Sequence, residues 1–266
     1  MKYTFGLIGS GNMGGAIAHA VSQTLKDGIL ADSSLEKAQA LAQALDFQAG
    51  SNEEAAQNSR YLFLGVKPHL MGGMLASIRP ALEARKEPPV LVSMAAGLSI
   101  AQIQEMAGQA YPVVRIMPNT PVAVGQGVVL YEASETVTAD MLDGFLAVMA
   151  KAGKLYHIAE SLMDVGASVS GCGPAFVYLI LDAIADGGVA CGLPRPDAVR
   201  YAAQTMLGAA QMVLETGKHP AQLKNEVCSP GGSTIQGVRT LEQRAVPAAF
   251  MDAVISACDK NAALGK

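Results

Sequence analysis

Residues 5–25 read FGLIGSGNMGGAIAHAVSQTL, in which Gly9, Gly11 and Gly14 have the spacing G-x-G-x-x-G. Apolar residues precede the first glycine, as in a buried strand, and recur every four positions after the last one, as on one face of a helix. A strand, a glycine turn and a helix in this order are typical of a dinucleotide site, although the same unit also occurs without a ligand. The first glycine permits a tight turn, the second lets the main chain approach a pyrophosphate, and the third lets helix and strand pack closely.

Length and composition limit the classes to which this chain can belong. Its 266 residues suffice for one large domain or two ordinary ones, and 50% hydrophobic with 16% charged residues excludes a disordered chain. The net charge of -4, without a long Lys/Arg run, indicates no nucleic-acid or acidic-membrane partner. The most apolar segments are interrupted by Gly, Pro, Ser or Gln, which predicts no membrane span. The cysteines are widely spaced, which predicts no metal site and favours a reducing, cytoplasmic location.

Short apolar runs alternate with helical patterns over residues 1–159. This alternation predicts an α/β fold of the Rossmann type, with a doubly wound, largely parallel sheet covered by helices on both faces. Ligands of such sheets bind at the C-terminal ends of the strands. The predicted strands are Tyr3–Ile8, Ile29–Asp32, Tyr61–Val66, Val90–Met94, Val113–Met117, Val128–Tyr131 and Lys154–Ile158.

The second half, residues 160–266, changes character. Alternating β-branched runs are absent from its sequence, and apolar residues recur with a period of about 3.6, which predicts an all-helical domain. The predicted helices include Pro174–Val189, Pro196–Glu215, Ala221–Val227, Ser233–Gln243 and Pro247–Leu264. We expect a small helical domain with so much apolar surface to pack against a second copy of itself, with a self-contained bundle as the alternative.

Several predicted strand ends carry small, Pro or polar residues, which would let main-chain groups approach the nicotinamide half of a cofactor. These ends are residues 65–69 (GVKPH), 94–97 (MAAG) and 115–121 (RIMPNTP). Each alone is typical of an ordinary loop. Their repeated position after successive strands is the informative feature.

The end of the second predicted strand bears on the choice of cofactor. Asp32 stands near the position where an acidic residue would bind the ribose 2′-hydroxyl of NAD. The hydroxyls of Ser33 and Ser34 could instead bind the 2′-phosphate of NADP, although no arginine adjoins them. Composition therefore leaves both cofactors open.

The most unusual stretch of the second half is Ser229–Thr234, which reads SPGGST. A Pro-Gly-Gly turn that leads into a helix exposes successive main-chain N–H groups at the positive end of the helix dipole, and this suits a carboxylate. The alternative is an ordinary turn with the Ser and Thr hydroxyls as helix caps.

These residues carry a resemblance to one known family. Residues 5–17, 66–68 (VKP), 115–121, 170–176 (SGCGPAF) and 223–237 (LKNEVCSPGGSTIQG) resemble pyrroline-5-carboxylate reductase, in the family's order and over essentially the whole chain. The last motif is highly specific, whereas the glycine turn occurs in many nucleotide-binding proteins. Cys172 and Ser233 replace other small residues common in the family, and Asp32 stands where the family often has a neutral residue.

The resemblance implies a cytoplasmic enzyme that reduces the cyclic imine 1-pyrroline-5-carboxylate to L-proline, with NADP(H) favoured and NAD(H) as the alternative. It further implies a homodimer interlocked through the helical domain, and sometimes a ring of dimers. Thr234 would be the catalytic residue, hydrogen-bonded to the ring nitrogen. The substrate-binding residues would be Ser229, Gly231, Gly232, Ser233 and Thr234. The cofactor-binding residues would be Ile8, Gly9, Ser10, Gly11, Asn12, Met13, Gly14, Ser33, Ser34, Asn52, Val66, Lys67, Pro68, His69, Ala95, Ala96, Gly97 and Asn119.

Two other functions are compatible with the glycine turn. A β-hydroxyacid dehydrogenase would need a helix-borne catalytic lysine in the second domain, whereas the lysines there lie at predicted helix ends or at the chain end. A nucleotide-binding protein without catalysis would bind the cofactor and show no turnover.

Overall fold

The computed structural model describes residues 1–264. Its strands are β1 Tyr3–Ile8, β2 Gly28–Ala31, β3 Gln48–Ala49, β4 Ser59–Leu64, β5 Val90–Ser93, β6 Val113–Pro118, β7 Gly127–Ala133 and β8 Gly153–His157. Its helices are α1 Asn12–Ser22, α2 Leu35–Leu45, α3 Asn52–Asn58, α4 Pro68–Glu83, α5 Ile100–Ala107, α6 Ala139–Val148, α7 Met163–Ser170, α8 Gly173–Ala190, α9 Arg195–Thr216, α10 Pro220–Glu226, α11 Ser233–Gln243 and α12 Val246–Leu264. Short 3₁₀ helices cover Thr120–Val124 and Glu160–Leu162. Every strand and helix predicted above is present, with ends shifted by at most two residues.

The strands form one eight-stranded sheet in the order β3-β2-β1-β4-β5-β6-β7-β8. All neighbouring pairs are parallel except β6 and β7, which are antiparallel. This confirms the predicted doubly wound, largely parallel sheet. The chain builds outward from β1 to β3 and then returns to place β4 on the other side of β1. The C-terminal ends of β1 and β4 therefore form the switch point at which such sheets bind ligands.

Two apolar cores cover the two faces of the sheet. Successive side chains of a strand point to opposite faces, so Leu7 packs in one core with Phe63 while Ile8 packs in the other with Leu64. Because both faces are covered, the strands are held from both sides. The loops at the strand ends thus start from fixed positions.

Tyr61 gives the sheet a pH-dependent contact. Its side chain is buried, and its hydroxyl donates to the carbonyl oxygen of Met141 at 2.9 Å. Burial raises the pKa of Tyr61 above its usual 10.0, because the charged phenolate is poorly solvated there. The stability that Tyr61 contributes is therefore complete below pH 10.0 and is lost as the pH rises past its pKa in the folded state.

We expect Tyr61→Phe to lower the free energy of unfolding by about 1 kcal/mol at neutral pH, because one hydrogen bond is lost. The variant should also lose less stability than the wild type in strongly alkaline solution, since it has no phenol to ionise at this position. Urea unfolding at a series of pH values measures both effects. Parallel pH profiles for the two proteins would contradict this role of Tyr61.

The chain divides by its contacts into two compact units, one formed by Met1–Cys172 with the chain from Ala257 onward, the other by Gly173–Ser256. By contacts, residues 160–172 lie with the sheet, because Arg115 in β6 pairs with Glu160 and Asp164, each at 3.2 Å. The domain boundary predicted after residue 159 stays a prediction. Asn261 of α12 also donates to the Ser168 hydroxyl in α7 at 3.0 Å. The last two residues of the predicted domain 160–266 lie outside the described residues.

The unit Gly173–Ser256 is all-helical, as predicted, and lacks a core of its own. Throughout this unit, which the structure describes completely, the buried residues are the three alanines Ala185, Ala198 and Ala202. Helices α8 and α9 pack against each other, whereas fifteen large apolar side chains of the unit are exposed. Burial on this scale cannot offset the conformational entropy of ordering so many residues. The geometry therefore favours a covered surface over a self-contained bundle.

One segment of the described chain, Glu160–Ala190, is long and apolar enough in composition to cross a membrane. Its structure is divided, because the chain passes through a 3₁₀ helix, α7 and α8 in turn. Both Asp182 and Asp186 lie within α8. Charges inside a span are costly in a bilayer, so the segment differs from an uninterrupted apolar helix.

Candidate cofactor and substrate sites

The glycine turn joins β1 to α1 at the switch point of the sheet. Gly9 has a φ of +103°, in the region that favours glycine, and a Cβ there would lie 2.7 Å from the carbonyl carbon of Gly65 at the end of β4. A Cβ on Gly14 would lie 2.1 Å from the carbonyl oxygen of Gly9. The fold itself therefore requires these two glycines.

Gly11 is different, because no atom other than those of Gly11 and its two chain neighbours lies within 4 Å of the place that its Cβ would occupy. Gly11 is the N-cap of α1, and this helix has no side-chain cap. The N–H groups of the first turn are consequently left for an external partner, and an anion suits the positive end of a helix. A glycine that the packing does not require, next to an uncapped helix, fits a pyrophosphate that must approach the main chain closely.

We expect Gly14→Ala to lose mainly stability and Gly11→Ala to lose mainly NADPH binding. The methyl group of Gly14→Ala meets the main chain, so its free energy of unfolding should fall by about 2 to 3 kcal/mol. The methyl group of Gly11→Ala meets no protein atom, so the corresponding loss should be less than about 1 kcal/mol, while NADPH binding weakens. Urea unfolding and a fluorescence titration with NADPH separate the two effects. A Gly11→Ala protein that binds NADPH like the wild type would contradict the pyrophosphate site.

The residues predicted for the adenosine ribose lie at the C-terminal ends of β2 and β3. Ser33 is exposed, and Ser34 is the N-cap of α2 but makes no side-chain capping bond. Asn52 begins α3, shortly after β3, and is half-buried. The carboxylate of Asp32 accepts hydrogen bonds from the main-chain N–H groups of Ser10 and Ser34. The position of Asp32 in the sequence did not predict these two hydrogen bonds.

The residues predicted for the nicotinamide lie at the ends of β4 and β5. Lys67 is the N-cap of α4, Pro68 is its first residue, and His69 is exposed. After β5, Ala96 is exposed and Gly97 has a φ of +74°. A cavity of about 140 Å³ adjoins this second loop, and its lining includes Ala96, Gly97, Met117 and Cys172.

Asn119, at the end of β6, is held by the protein. Its side-chain nitrogen donates to the carbonyl oxygen of Ser170, and its side-chain oxygen accepts from the N–H of Val128, both at 2.9 Å. The residue is 7% exposed, so this amide braces the loop after β6. Contact between Asn119 and a cofactor stays a prediction.

Arg115 in β6 is buried and pairs with the half-buried carboxylates of Glu160 and Asp164, whereas the sequence placed Arg115 only at a strand end. Besides pairing with Arg115, the carboxylate of Glu160 accepts from the N–H of Ile100 at 2.7 Å, at the start of α5. The group thus joins the 3₁₀ helix 160–162 to the loop that contains Gly97. A charged residue inside an apolar strand predicts oppositely charged partners nearby, because burying an unpaired charge costs too much free energy. The partners themselves are 45 and 49 residues away in sequence.

In the helical unit, Ser229–Thr234 forms an uncapped turn at the start of α11. Gly231 has a φ of +72°. The N-cap of α11 is Gly232, and no side chain makes a capping bond there, so the turn lacks the hydroxyl cap that was the alternative. A Cβ on Gly232 would lie 2.6 Å from the Ser229 hydroxyl. The N–H of Gly232 donates to the carbonyl oxygen of Ser229 at 3.1 Å and closes the turn.

Because the N–H of Gly232 is engaged inside the turn, contact between Gly232 and a substrate carboxylate stays a prediction. The N–H groups that α11 leaves without a partner inside the helix are those of its first turn, including Ser233 and Thr234. Both of these residues are exposed, as is Gly231. The turn therefore presents main-chain donors with no side chain in front of them, which suits a carboxylate.

Comparisons with known proteins relate both halves of the chain to known families. Residues 160–264 match the family model for pyrroline-5-carboxylate reductase dimerisation, and residues 4–97 match the model for NADP oxidoreductases described as coenzyme F420-dependent. The pyrroline-5-carboxylate reductase of Glycine max is 38% identical over 98% of this chain and 95% of its own length, and that of Escherichia coli is 37% identical over 100% of both. The crystal structure of Plasmodium falciparum pyrroline carboxylate reductase with NADP bound superposes with a TM-score of 0.88 at 32% identity, over 100% of both chains.

Proposed function

This chain belongs to the pyrroline-5-carboxylate reductase family, and we propose that it reduces 1-pyrroline-5-carboxylate to L-proline with NADPH, the last step of proline synthesis. The observation that carries the proposal is the uncapped start of α11, where the open space at Gly231 leaves room for a carboxylate. The glycine turn Gly9–Gly14 supports an NADP-dependent oxidoreductase but does not distinguish among substrates. The SPGGST turn is what favours a small acid over other ligands.

We propose that Thr234 positions the ring nitrogen of the bound imine. A hydroxyl titrates far above neutral pH, so Thr234 cannot be a general acid of ordinary strength. The imine would bind in its protonated form or take its proton from water, and the Thr234 hydroxyl would accept a hydrogen bond from the ring N–H. The nicotinamide of NADPH, when bound, supplies the hydride that reduces the C=N bond. The chain's own contribution is then to orient the substrate and to hold its carboxylate.

The rival function, a β-hydroxyacid dehydrogenase, lacks support from the lysines of the helical unit. Lys218 pairs with Glu226 at 2.9 Å, and Lys224 pairs with Glu242 at 3.1 Å. Both lysines are thus occupied by carboxylates of the same chain. Neither is arranged as a free catalytic amine facing a substrate.

One assay separates the proposed function from its rivals. Purified protein is mixed with NADPH and 1-pyrroline-5-carboxylate, and in a second sample with NADP and a 3-hydroxy acid, while the absorbance of the reduced cofactor is followed. We expect oxidation of NADPH by the imine and no reaction with the hydroxy acid. Activity only with the hydroxy acid would favour the dehydrogenase, and cofactor binding without any turnover would favour a non-catalytic protein. NADH in place of NADPH measures cofactor preference.

We propose further that a second copy of the chain covers the apolar surface of the helical unit, and that the homodimer is the smallest active form. Two observations support this: the unit buries three alanines while exposing fifteen large apolar side chains, and its residues match a dimerisation family model. A ring of dimers would need a further contact between dimers. Sedimentation equilibrium of detergent-free, cytoplasmically expressed protein tests the proposal, with a mass of two chains or a multiple of two as the expected result. A monomer, or a protein that requires detergent, would contradict it.

A further inference from the structure

We propose that Asp32 is a positioning residue that fixes the pyrophosphate-binding turn, and that it does not select NAD through the ribose. The inference rests on the proposed NADPH-dependent function. An acidic residue at this place in a Rossmann-type sheet ordinarily accepts a hydrogen bond from the 2′-hydroxyl of NAD. The carboxylate of Asp32 is directed at the protein instead.

Both carboxylate oxygens of Asp32 accept hydrogen bonds from neighbouring turns. Oδ2 accepts from the N–H of Ser10 at 2.7 Å, inside the glycine turn. Oδ1 accepts from the N–H of Ser34 at 2.9 Å and from the hydroxyl of Ser33 at 3.3 Å. Bonds from N–H groups to a carboxylate are shorter and stronger than bonds between neutral groups. A ribose hydroxyl would have to compete with these donors.

The bond to Ser10 matters because the glycine turn offers little else to hold it. Gly9 and Gly11 have no side chains, and a glycine segment has many conformations to lose when it is ordered. The N–H of Gly9 is held by the carbonyl oxygen of Ala31 at 2.8 Å. Asp32 extends this attachment by one residue along the turn and joins it to the start of α2. The turn is thereby ordered before the pyrophosphate arrives.

The same arrangement leaves the start of α2 open to the cofactor. Ser34 makes no side-chain capping bond, and the exposed Ser33 hydroxyl makes one bond of 3.3 Å, to Asp32, which a bond to a 2′-phosphate would replace. The uncapped N–H groups of the first turn of α2, together with these hydroxyls, suit a 2′-phosphate. Asp32 thus acts on both cofactors alike through the pyrophosphate turn, while Ser33 acts on NADPH alone.

The chain offers a matched control at the other end of β2. The carboxylate of Asp27 accepts from the N–H of Thr4 at 3.0 Å and from its hydroxyl at 2.7 Å. Asp27 therefore holds β1 at the N-terminal end of the strands, away from the ligand edge, whereas Asp32 holds the glycine turn that follows β1. Asp27→Asn and Asp32→Asn make the same chemical change to two braces of the same sheet.

The test measures the Kd of NADPH and of NADH by fluorescence titration, without imine, for the wild type, Asp32→Asn, Asp27→Asn and Ser33→Ala. We expect Asp32→Asn to raise both Kd values about tenfold, with their ratio unchanged within about threefold. Asp27→Asn should leave both values unchanged even where its melting temperature falls as much as that of Asp32→Asn. Ser33→Ala should raise only the Kd of NADPH.

Three results for Asp32→Asn would overturn the proposal. A rise in the Kd of NADH alone would mark Asp32 as the ribose acceptor, and unchanged Kd values for both cofactors would remove Asp32 from cofactor binding. Tighter NADPH binding would show that the charge of Asp32 acts on the 2′-phosphate. Binding is measured separately from turnover. A wild type that binds NADPH but never reduces the imine would refute the proposed function and leave the role of Asp32 standing.

Discussion

Leu179→Glu in α8 and Leu214→Glu in α9 are each expected to abolish the dimer and the reductase activity. The two side chains are 71% and 75% exposed on the single chain, so a monomer would tolerate either change within about 0.5 kcal/mol. Under a second copy, each change would bury a charge in an apolar surface without a partner, at a cost of several kcal/mol. The unit has no core of its own to compensate, so its helices should lose order when the dimer is lost. Sedimentation, circular dichroism and the NADPH assay measure the three consequences.

Tyr156→Glu in β8 is the control for these variants. Tyr156 is 47% exposed on a strand at the edge of the sheet, in the unit that contains the sheet. We expect this variant to remain dimeric and active. The wild type should also melt at a higher temperature as its concentration is raised, because dissociation accompanies unfolding. Active monomers of Leu179→Glu and Leu214→Glu, with a melting temperature independent of concentration, would contradict an obligate dimer.

Thr234→Ala is expected to lower kcat/KM for the imine by about 10- to 150-fold. The change removes one hydrogen bond to a charged nitrogen, which is typically worth about 1.5 to 3 kcal/mol. Thr234 is exposed in the first turn of α11, so its removal should affect the substrate and leave the fold intact. Steady-state kinetics with saturating NADPH provide the measurement.

Two further variants make this prediction specific to the hydroxyl group. Thr234→Ser keeps the hydroxyl and should retain activity within a few-fold of the wild type. Ser233→Ala removes the neighbouring hydroxyl, keeps its main-chain N–H and should have a smaller effect than Thr234→Ala. An unchanged kcat/KM for Thr234→Ala would remove Thr234 from the mechanism, and an equal loss in Thr234→Ser would assign its role to shape instead of hydrogen bonding.

Much of the fold could be predicted because its signals are local. Alternating apolar runs and helical periods depend on neighbouring residues, and they located the predicted strands within two residues. The two-residue strand β3 was missed, since Gln48 and Ala49 are exposed and carry no apolar pattern. Equally, the antiparallel placement of β7 has no local signal, because it depends on the path of the 3₁₀ segment Thr120–Val124.

The site was predicted where a motif fixes the main chain and missed where side chains from distant segments meet. Gly9 and Gly14 could be identified from spacing, because only glycine permits those contacts with the main chain. The structure adds that Asp32 bonds to Ser10 and that Asn119 bonds to Ser170, 22 and 51 residues away in sequence. Such pairs need the register of the sheet, which the periodicity of single segments does not contain.

The most direct test of the central claim is transfer of deuterium from NADPH to the imine carbon. The protein is incubated with 1-pyrroline-5-carboxylate and, in separate samples, with each of the two C4-deuterated forms of NADPH, and the product is analysed by mass spectrometry and NMR. We predict L-proline that carries a single deuterium on the ring carbon bonded to nitrogen and distant from the carboxylate, from one of the two forms. Consumption of NADPH without labelled proline, or no proline at all, would contradict the account.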